Sequence, residues 1–395
     1  MAGEGLEDIV AGKSAISTID GKRGVLTYRG ISIHDLADFS CFEETVFLLW
    51  FGRLPKAVEL RRFSDQISKE IFLPKQVEAW LKTLPSEANP MSLLRTGVSL
   101  LGLVDPDENG PNTMEQPAPG VSIIGQLAAA EPGFGPNTPN YRKAVRLIGQ
   151  MPALVAAIQR HKKNLGFVEP LKGRSVAYNF LYMLNGVEPD DESVKIFDQC
   201  LVLHADHEFN ASTFAARVTA GTLSDLHSAV VAAIGALKGS LHGGANTEVM
   251  QMLREISDPA QAKEWVKDAL AKKKKIMGFG HRMYKTEDPR ATHLRRMSEY
   301  LCKKVGQAEW FEVSRSIEEA MLELKNIRPN VDFYSASTYY CLGIDPEIYT
   351  PIFAISRMSG WAAHILEQLA NNRLIRPSAE YVGIENQAYT PMNQR

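Results

Sequence analysis

The sequence of this 395-residue chain lacks the features that define several large protein classes. Its charges nearly cancel, with 44 Lys and Arg against 46 Asp and Glu and a net charge of -2. No segment is basic enough to indicate binding to nucleic acid, and nothing indicates a membrane partner. An anionic ligand would therefore have to be bound by a few individually placed cations.

Cysteine is scarce, and long apolar runs are missing. Cys41, Cys200, Cys302 and Cys341 are scattered along the chain without CxxC spacing, which fits reduced thiols better than a disulfide framework. The apolar runs are too short to cross a bilayer, and the N-terminus lacks the charged and apolar regions of a signal peptide. We therefore expect a soluble, cytoplasmic protein.

The length and the apolar spacing indicate two domains built mainly from helices, because one core rarely serves a chain of this length. Segments 15–19 and 25–29 alternate in polarity around the turn dipeptide Asp20-Gly21, which predicts a small β-hairpin. One apolar helix is expected to begin at a Ser224 cap and to end at Gly239. Region 105–141, rich in proline and glycine, is predicted to be a long loop with a short helix or strand inside.

The most informative segment, 278–290, reads GFGHRMYKTEDPR. Glycines on both sides of Phe279 let the backbone bend and approach a ligand closely, and Pro289 stiffens the part that presents Arg290. The segment thus combines the imidazole of His281 on a glycine turn with a guanidinium nine residues later. Such a pair would suit a carbonyl compound that carries a carboxylate.

A second imidazole, His242, lies in a similar setting within 239–246, GSLHGGAN. The next helix is expected to begin with Asn246 as its cap, so that His242 projects from a loop between two rigid elements. Two such imidazoles, Asp332 and several arginines would suit carbon–carbon bond formation between an enolisable thioester and an activated ketone. Asp332 can remove a carbon-bound proton only if a donor stabilises the charge growing on the thioester oxygen, and the second imidazole polarises the ketone.

Other chemistries have weaker sequence support. His204 and His207, with Asp206 and Glu208 beside them, could form a metal site, but HExxH is absent and a third ligand is not defined. A GxSxG nucleophile motif is also absent, and the cysteines lie in apolar surroundings. The segment 278–280 lacks the third glycine and the preceding strand of a dinucleotide-binding fingerprint.

Taken in order, four segments resemble citrate synthase: 203–213 (LHADHEFNAST), 239–246, 278–290 and 331–335 (VDFYS). The similarity extends over most of the chain, from 5–7 (GLE), 19–21 (IDG) and 28–30 (YRG) to 374–377 (LIRP). It implies an all-α, two-domain fold with a small N-terminal β-hairpin, assembled as a homodimer. In this division, residues 1–242 and 336–395 form the large domain, and residues 243–335 form a small domain that carries the CoA-binding turn.

The resemblance also implies roles for individual residues. The catalytic set would be His242, His281 and Asp332. Oxaloacetate would be bound by His207, His281, Arg290 and Arg357, joined by Arg376 from the other subunit. The backbone of Ile276, Met277, Gly278, Phe279 and Gly280 would cradle the adenine of coenzyme A, and Lys285 stands where a basic residue meets a phosphate.

The implied activity is that of the tricarboxylic acid cycle enzyme, which condenses acetyl-CoA with oxaloacetate to give citrate and free CoA. The thioester would be a substrate, and neither a permanently bound cofactor nor a metal is expected. A 2-methylcitrate synthase would use the same residues with propionyl-CoA. A metal hydrolase and a non-catalytic helical scaffold are the more distant alternatives. Segment 115–136 looks like an insertion relative to compact bacterial relatives, and the sequence assigns it no function.

Overall fold

The computed structural model describes residue 5, residues 9–108 and residues 138–395. These parts contain sixteen α-helices and one three-stranded sheet, which confirms the expected all-α class. The strands are β1 (Ser17–Asp20), β2 (Val25–Tyr28) and β3 (Ile31–Ser32). The α-helices are α1 (Ile33–Phe39), α2 (Phe42–Phe51), α3 (Ala57–Lys69), α4 (Lys75–Lys82), α5 (Pro90–Leu103), α6 (Pro139–Lys162), α7 (Val176–Asn185), α8 (Asp191–His204), α9 (Ala211–Gly221), α10 (Leu226–Leu237), α11 (Ala245–Ile256), α12 (Ala262–Ala271), α13 (Pro289–Lys304), α14 (Ala308–Lys325), α15 (Val331–Cys341) and α16 (Tyr349–Ala370). Short 3-10 turns lie at Pro259–Gln261, Pro346–Ile348 and Met392–Gln394.

The predicted N-terminal hairpin is confirmed, with β1 and β2 paired antiparallel and β3 added beside β2. Its turn packs against the segment that follows His281. The carbonyl of Gly21 accepts a hydrogen bond from the amide of Lys285 at 2.8 Å. A Cβ atom on Gly21 would lie only 1.9 Å from the Met283 carbonyl oxygen, so glycine allows this close approach.

Helix α16 is the centre of the larger helical group. It is buried along almost its whole length and packs against α2, α6, α8, α9 and α10. Complete burial of a large side chain such as Trp361 removes much apolar surface from water, and a buried apolar side chain contributes roughly 1.5–3 kcal/mol. The Gly360 amide donates to the Ala205 carbonyl at 3.1 Å, so the end of α8 lies directly on α16.

A second group of helices forms around the segments that carry His281 and Asp332. Helices α13, α11 and α14 pack against α15, and α12 packs against α14. The expected boundary at 242/243 falls in the loop between α10 and α11, and the boundary at 335/336 falls inside α15. The proposed division into domains therefore stays a prediction.

Three local expectations need correction. Helix α10 is capped by Asp225, whose side chain accepts from the Ser228 amide, rather than by Ser224. Helix α11 begins after Gly244, and Asn246 lies inside its first turn. Helix α6 begins at Pro139 with Thr138 as its cap, so the end of region 105–141 is helical. The apparent insertion at 115–136 lies outside the described residues.

Two findings bear on the broader sequence expectations. In the described part of the chain, no helix is both long and apolar enough to cross a membrane. All four cysteines are free thiols, as the scattered spacing suggested.

Candidate active site

Loops and helix ends bring six of the predicted site residues to one place. His207 lies between α8 and α9, His242 between α10 and α11, and His281 between α12 and α13. Arg290 and Asp332 belong to the first turns of α13 and α15, and Arg357 lies within α16. The rings of His207 and His281 have centroids 5.1 Å apart, and the charges of Arg290 and Arg357 act on both His207 and Asp332.

The backbone of its own loop sets the tautomer of His281. Its Nδ1 accepts hydrogen bonds from the amides of Met283, at 3.0 Å, and Tyr284, at 3.3 Å. The proton of the neutral ring therefore lies on Nε2. Burial, together with the charge of Arg290, lowers the pKa of His281 to about 4. At neutral pH this side chain is an uncharged donor through Nε2–H.

His242 has the opposite tautomer. Its Nε2 accepts from the Ser212 amide at 3.2 Å and lies 2.8 Å from Ser212 Oγ. The Ser212 hydroxyl accepts from Trp361 Nε1–H at 3.1 Å and donates its own proton to Asn210 Oδ1 at 2.7 Å, so the donor to His242 Nε2 is the Ser212 amide. The proton of the imidazole therefore lies on Nδ1. Burial, with a contribution from Arg357, lowers the pKa of His242 to about 4, so this ring is also neutral.

His207 is buried beside these rings. Its Nε2 shares a hydrogen bond of 3.2 Å with the hydroxyl of Tyr284. The Tyr284 ring also lies 4.7 Å, centroid to centroid, from His281. Burial and the charge of Arg290 hold the pKa of His207 well below its usual range, so it is neutral as well.

The two buried arginines are held in different ways. Arg290 forms a bidentate pair with Asp288, with Nε–Oδ1 at 2.9 Å and Nη2–Oδ2 at 2.8 Å, and Nη1 has no hydrogen-bond partner among the described residues. Arg357 donates from Nε to the His204 carbonyl at 2.8 Å and lies over the Phe353 ring at 4.6 Å. Burial lowers the pKa of Arg357 to about 10, so it stays charged at neutral pH, and the described residues bind neither of its Nη groups. Both guanidinium groups can therefore bind a carboxylate in a desolvated site.

Asp332 is the second residue of α15, and its amide donates to Asn330 Oδ1 at 3.0 Å. No described group donates a hydrogen bond to its carboxylate. Burial raises the pKa of Asp332 to about 6, although Arg290 acts in the opposite direction. A carboxylate with such a pKa is ionised at neutral pH yet is a stronger base than an ordinary aspartate.

The glycine turn before His281 is fastened beside Asp332. The Gly280 amide donates to the Arg328 carbonyl at 3.2 Å, and the Asn330 amide donates to the Gly278 carbonyl at 2.9 Å. Both glycines have positive φ, 81° for Gly278 and 73° for Gly280. A Cβ on Gly278 would lie 2.8 Å from the Phe333 ring, so this position requires glycine for space as well as for conformation. The side chain of Lys285 is exposed at the edge of this loop.

The residues of the possible metal site serve other contacts. His204 Nδ1 donates to the Cys200 carbonyl at 2.7 Å, and Asp206 accepts from His364 Nε2 at 3.3 Å. In the described ranges, the side chains that gather closely enough to hold a metal ion are instead Glu108, Asp225 and His227. The geometry therefore favours a structural role for His204 and Asp206.

Comparison with known proteins assigns the fold and the site to a family. A family model described as "Citrate synthase, C-terminal domain" matches residues 5–378. The chain is 48% identical over its whole length to "Citrate synthase 2" of Bacillus subtilis, covering 99% of that protein. It is also 41% identical to a 2-methylcitrate synthase of Mycobacterium tuberculosis, over 97% of this chain and 91% of that protein.

The chain belongs to the citrate synthase family. It is therefore an enzyme, of the acyltransferase class to which this family belongs. A solved citrate synthase of Thermoplasma acidophilum superimposes with a TM-score of 0.85 at 34% identity, covering 99% of this chain and 98% of that one. That structure is a ternary complex with carboxymethyl coenzyme A and oxaloacetate.

One predicted site residue of this citrate synthase family member lies apart from the others. Arg376 is exposed in the segment after α16. Its neighbours Arg373 and Ile375 lie against Gly221, at the C-terminal end of α9, whereas His207 precedes the N-terminal end of the same helix. An eleven-residue helix is about 16 Å long, so Arg376 does not join the site of its own chain.

Sequence reasoning gave no role to four residues that hold the site together. Asp288 orients Arg290 through a bidentate ion pair, and Tyr284 forms a hydrogen bond with His207. Ser212 contacts His242 and is itself hydrogen-bonded by Trp361. Asp288 carried a local signal, since Asp-Pro is typical of a helix start. Ser212 and Trp361 carried none, because they meet His242 only through tertiary packing.

Proposed function

We propose that this enzyme is a citrate synthase, which condenses acetyl-CoA with oxaloacetate and hydrolyses citryl-CoA to citrate and CoA. This is the condensation step of the tricarboxylic acid cycle. One observation carries the proposal: two neutral imidazoles with opposite tautomers and a carboxylate with a pKa of about 6 share one site with two buried arginines. The ligands of the Thermoplasma acidophilum complex support the same pair of substrate classes.

Oxaloacetate binds first in this proposal. Arg290 offers Nη1 and Arg357 offers both Nη groups, so planar guanidinium groups face the carboxylates of the ketoacid. His207 and His281 complete the pocket as neutral rings. Since Asp288 and the His204 carbonyl already hold the two arginines, little side-chain entropy is lost on binding.

Enolisation of the acetyl group follows. Asp332 removes a proton from the methyl carbon, and the Nδ1–H of His242 donates a hydrogen bond to the thioester oxygen, where negative charge grows. A neutral donor is suitable because it stabilises the enolate without carrying a charge of its own into the buried site. The contact between Ser212 and Nε2 keeps the imidazole proton on Nδ1.

The new carbon–carbon bond forms at the ketone carbon. His281 donates from Nε2–H to the ketone oxygen and so stabilises the alkoxide that develops there. Water then hydrolyses the citryl thioester to citrate and CoA. The enzyme uses the CoA thioester as a substrate, and the proposal requires no permanently bound cofactor.

The turn formed by Ile276, Met277, Gly278, Phe279 and Gly280 is the proposed cradle for the adenine of CoA. Support comes from its backbone hydrogen bonds to Arg328 and Asn330, two to four residues before Asp332. A thioester bound there would present its acyl end toward α15. Lys285, exposed on the same loop, is placed to meet a phosphate of the CoA thioester.

The active unit is proposed to be a homodimer in which Arg376 enters the partner's site. Arg376 lies at the opposite end of α9 from His207, so its own site is out of reach. The segment that follows, 377–395, is exposed along its whole length and includes the large apolar side chains Tyr381, Val382 and Ile384. An exposed arm of this kind suits packing on a second copy of the chain.

The small domain, 243–335, is proposed to close over oxaloacetate against the large domain formed by 1–242 and 336–395. The site takes Arg357 from one proposed domain and Arg290 from the other. A dicarboxylate contacted by both therefore binds the closed form preferentially, and that preference drives closure. Helix α15 is continuous across 335/336, so the flexible points are the loops that flank it.

A thiol-release assay with oxaloacetate and either acetyl-CoA or propionyl-CoA tests the proposed function. We expect acetyl-CoA to have the higher kcat/KM, since identity to the Bacillus subtilis citrate synthase exceeds identity to the 2-methylcitrate synthase, 48% against 41%. A preference for propionyl-CoA would identify a 2-methylcitrate synthase instead. Absence of thiol release with both thioesters would refute the whole proposal. Omission of oxaloacetate is the control for simple thioester hydrolysis.

A further inference from the structure

Helices α13 and α15 lie side by side, with their N-terminal ends together at the candidate site. At that end, Asp288 Oδ2 accepts a hydrogen bond from the Val331 amide at 3.1 Å. Halfway along, Ser298 Oγ and Ser337 Oγ are 2.8 Å apart. The two helices that present Arg290 and Asp332 are therefore joined at two levels.

A third contact lies at the far end of the pair. Cys302 Sγ on α13 and Cys341 Sγ on α15 are 3.4 Å apart. A disulfide requires about 2.05 Å, so the sulfurs would have to approach by about 1.4 Å. Cys302 is completely buried, whereas Cys341 is partly exposed. Cys200, by contrast, lies 3.9 Å from Met297 and has no thiol beside it in the described structure.

We propose that Cys302 and Cys341 form a reversible disulfide when the enzyme meets a small disulfide oxidant such as oxidised glutathione. In the first step, the Cys341 thiolate attacks one sulfur of the oxidant, which releases one reduced thiol and leaves a mixed disulfide on Cys341. The Cys302 thiolate then attacks Cys341 Sγ and expels the second thiol. Two protein thiols lose two protons and two electrons, and one disulfide of the oxidant becomes two thiols.

The surroundings suit the second step. In the reduced protein, hydrogen bonds from Cys341 and from Ser298 lower the pKa of Cys302 despite its burial. In the mixed disulfide Cys341 has no S–H left, but Ser298 Oγ, 3.8 Å from Cys302 Sγ, can still donate to the Cys302 thiolate. The contact with Cys302 raises the pKa of Cys341 in the reduced protein. The first exchange is therefore slow, whereas the closing step is fast because the two sulfurs lie 3.4 Å apart, so the mixed disulfide does not accumulate in the native protein.

The disulfide would close the loop between residues 302 and 341. It would also add a covalent link between α13 and α15 to the two hydrogen-bonded contacts described above. Cross-linking of a loop this long restricts the unfolded chain more than the native one. The oxidised enzyme should therefore melt a few degrees above the reduced enzyme, and reduction with dithiothreitol should reverse the shift.

Peptide mapping tests the proposal. Native enzyme is incubated with oxidised glutathione, its remaining thiols are alkylated, and it is digested with trypsin without reduction. The two cysteines fall in the separate peptides 297–303 and 326–357, because the Arg328–Pro329 bond resists trypsin. We expect these peptides joined to each other and separated by reduction. If both thiols are recovered alkylated, or if the wild-type enzyme retains glutathione on Cys341 without a cross-link, the proposal is wrong.

Three serine variants define the order of the steps. Cys302→Ser should retain glutathione on Cys341, and Cys341→Ser should leave the buried Cys302 unmodified. Cys200→Ser is the matched control and should cross-link like the wild-type enzyme. Modification of Cys302 in the absence of Cys341 would refute the proposed entry point. The wild-type map decides the existence of the bond even if a variant does not fold.

Discussion

Replacement of Asp332 by asparagine tests the proposed base most directly, because the amide keeps the shape of the side chain but cannot accept a proton. Loss of a general base costs on the order of 10²–10⁴-fold in rate. This corresponds to about 3–5 kcal/mol of lost transition-state stabilisation. Oxaloacetate should still bind with nearly the wild-type affinity, because the proposed carboxylate-binding groups are Arg290 and Arg357.

The same substitution should stabilise the folded enzyme. Burial raises the pKa of Asp332 from 3.8 to about 6, so the ionised side chain disfavours the folded state by about 3 kcal/mol at pH 8. When folding raises the pKa of an acid, the stability of the protein falls as the pH rises above the pKa of the unfolded state, and it stops falling above the pKa of the folded state. The stability gain of the variant at pH 5 should therefore be about half the gain at pH 8.

Two measurements check these magnitudes. Initial rates of thiol release, measured from pH 5 to 9 at saturating and at subsaturating acetyl-CoA, give kcat and kcat/KM. The kcat of the variant should be low, and the wild-type kcat/KM should fall about tenfold per pH unit below pH 6. Urea unfolding at pH 5 and pH 8, at one protein concentration, should show the pH-dependent gain in stability. Calorimetric titration with oxaloacetate measures binding separately.

Glu309→Gln is a suitable control, because it also removes a carboxylate from the first turn of a helix, α14, but at an exposed position. It should leave turnover unchanged and should lower stability by no more than about 0.3–1 kcal/mol. Near-normal turnover of Asp332→Asn would mean that another group is the base. A stability gain that is equal at pH 5 and pH 8 would show that the raised pKa is not its cause.

Three further predictions concern binding, assembly and packing. Arg357→Lys should raise the KM for oxaloacetate far more than that for acetyl-CoA, because lysine cannot reproduce a planar two-nitrogen contact; equal effects on both substrates would contradict this role. Mixed dimers of Arg376→Ala and Asp332→Ala chains should regain activity at one of their two sites, and no recovery in verified heterodimers would refute the shared site. Gly360→Ala places a Cβ 2.3 Å from Asp206 Oδ1, and overpacking of this kind typically costs about 1–3 kcal/mol, which urea unfolding measures. Unchanged stability would mean that the end of α8 moves freely.

Much of the local structure followed from the sequence alone. The hairpin around Asp20-Gly21, the helical class and the glycine turn before His281 depend on neighbours in the chain, and these expectations are confirmed. The sequence did not fix the helix starts as well. Ser224 and Asp225 are both residue types that cap helices, and the structure shows that Asp225 accepts from the Ser228 amide and so caps α10. The resemblance to citrate synthase could also be seen in the sequence, because it rests on short contiguous motifs.

The tertiary structure alone decided which ring nitrogen of His242 carries the proton. His242 lies 30 residues from the serine that binds its Nε2, and no local pattern encodes that contact. It also decided that Cys302 and Cys341, 39 residues apart, face each other, and that Arg376 lies away from the site of its own chain. Local patterns specify turns and helix ends, whereas protonation, burial and long-range pairing arise only when distant helices pack together.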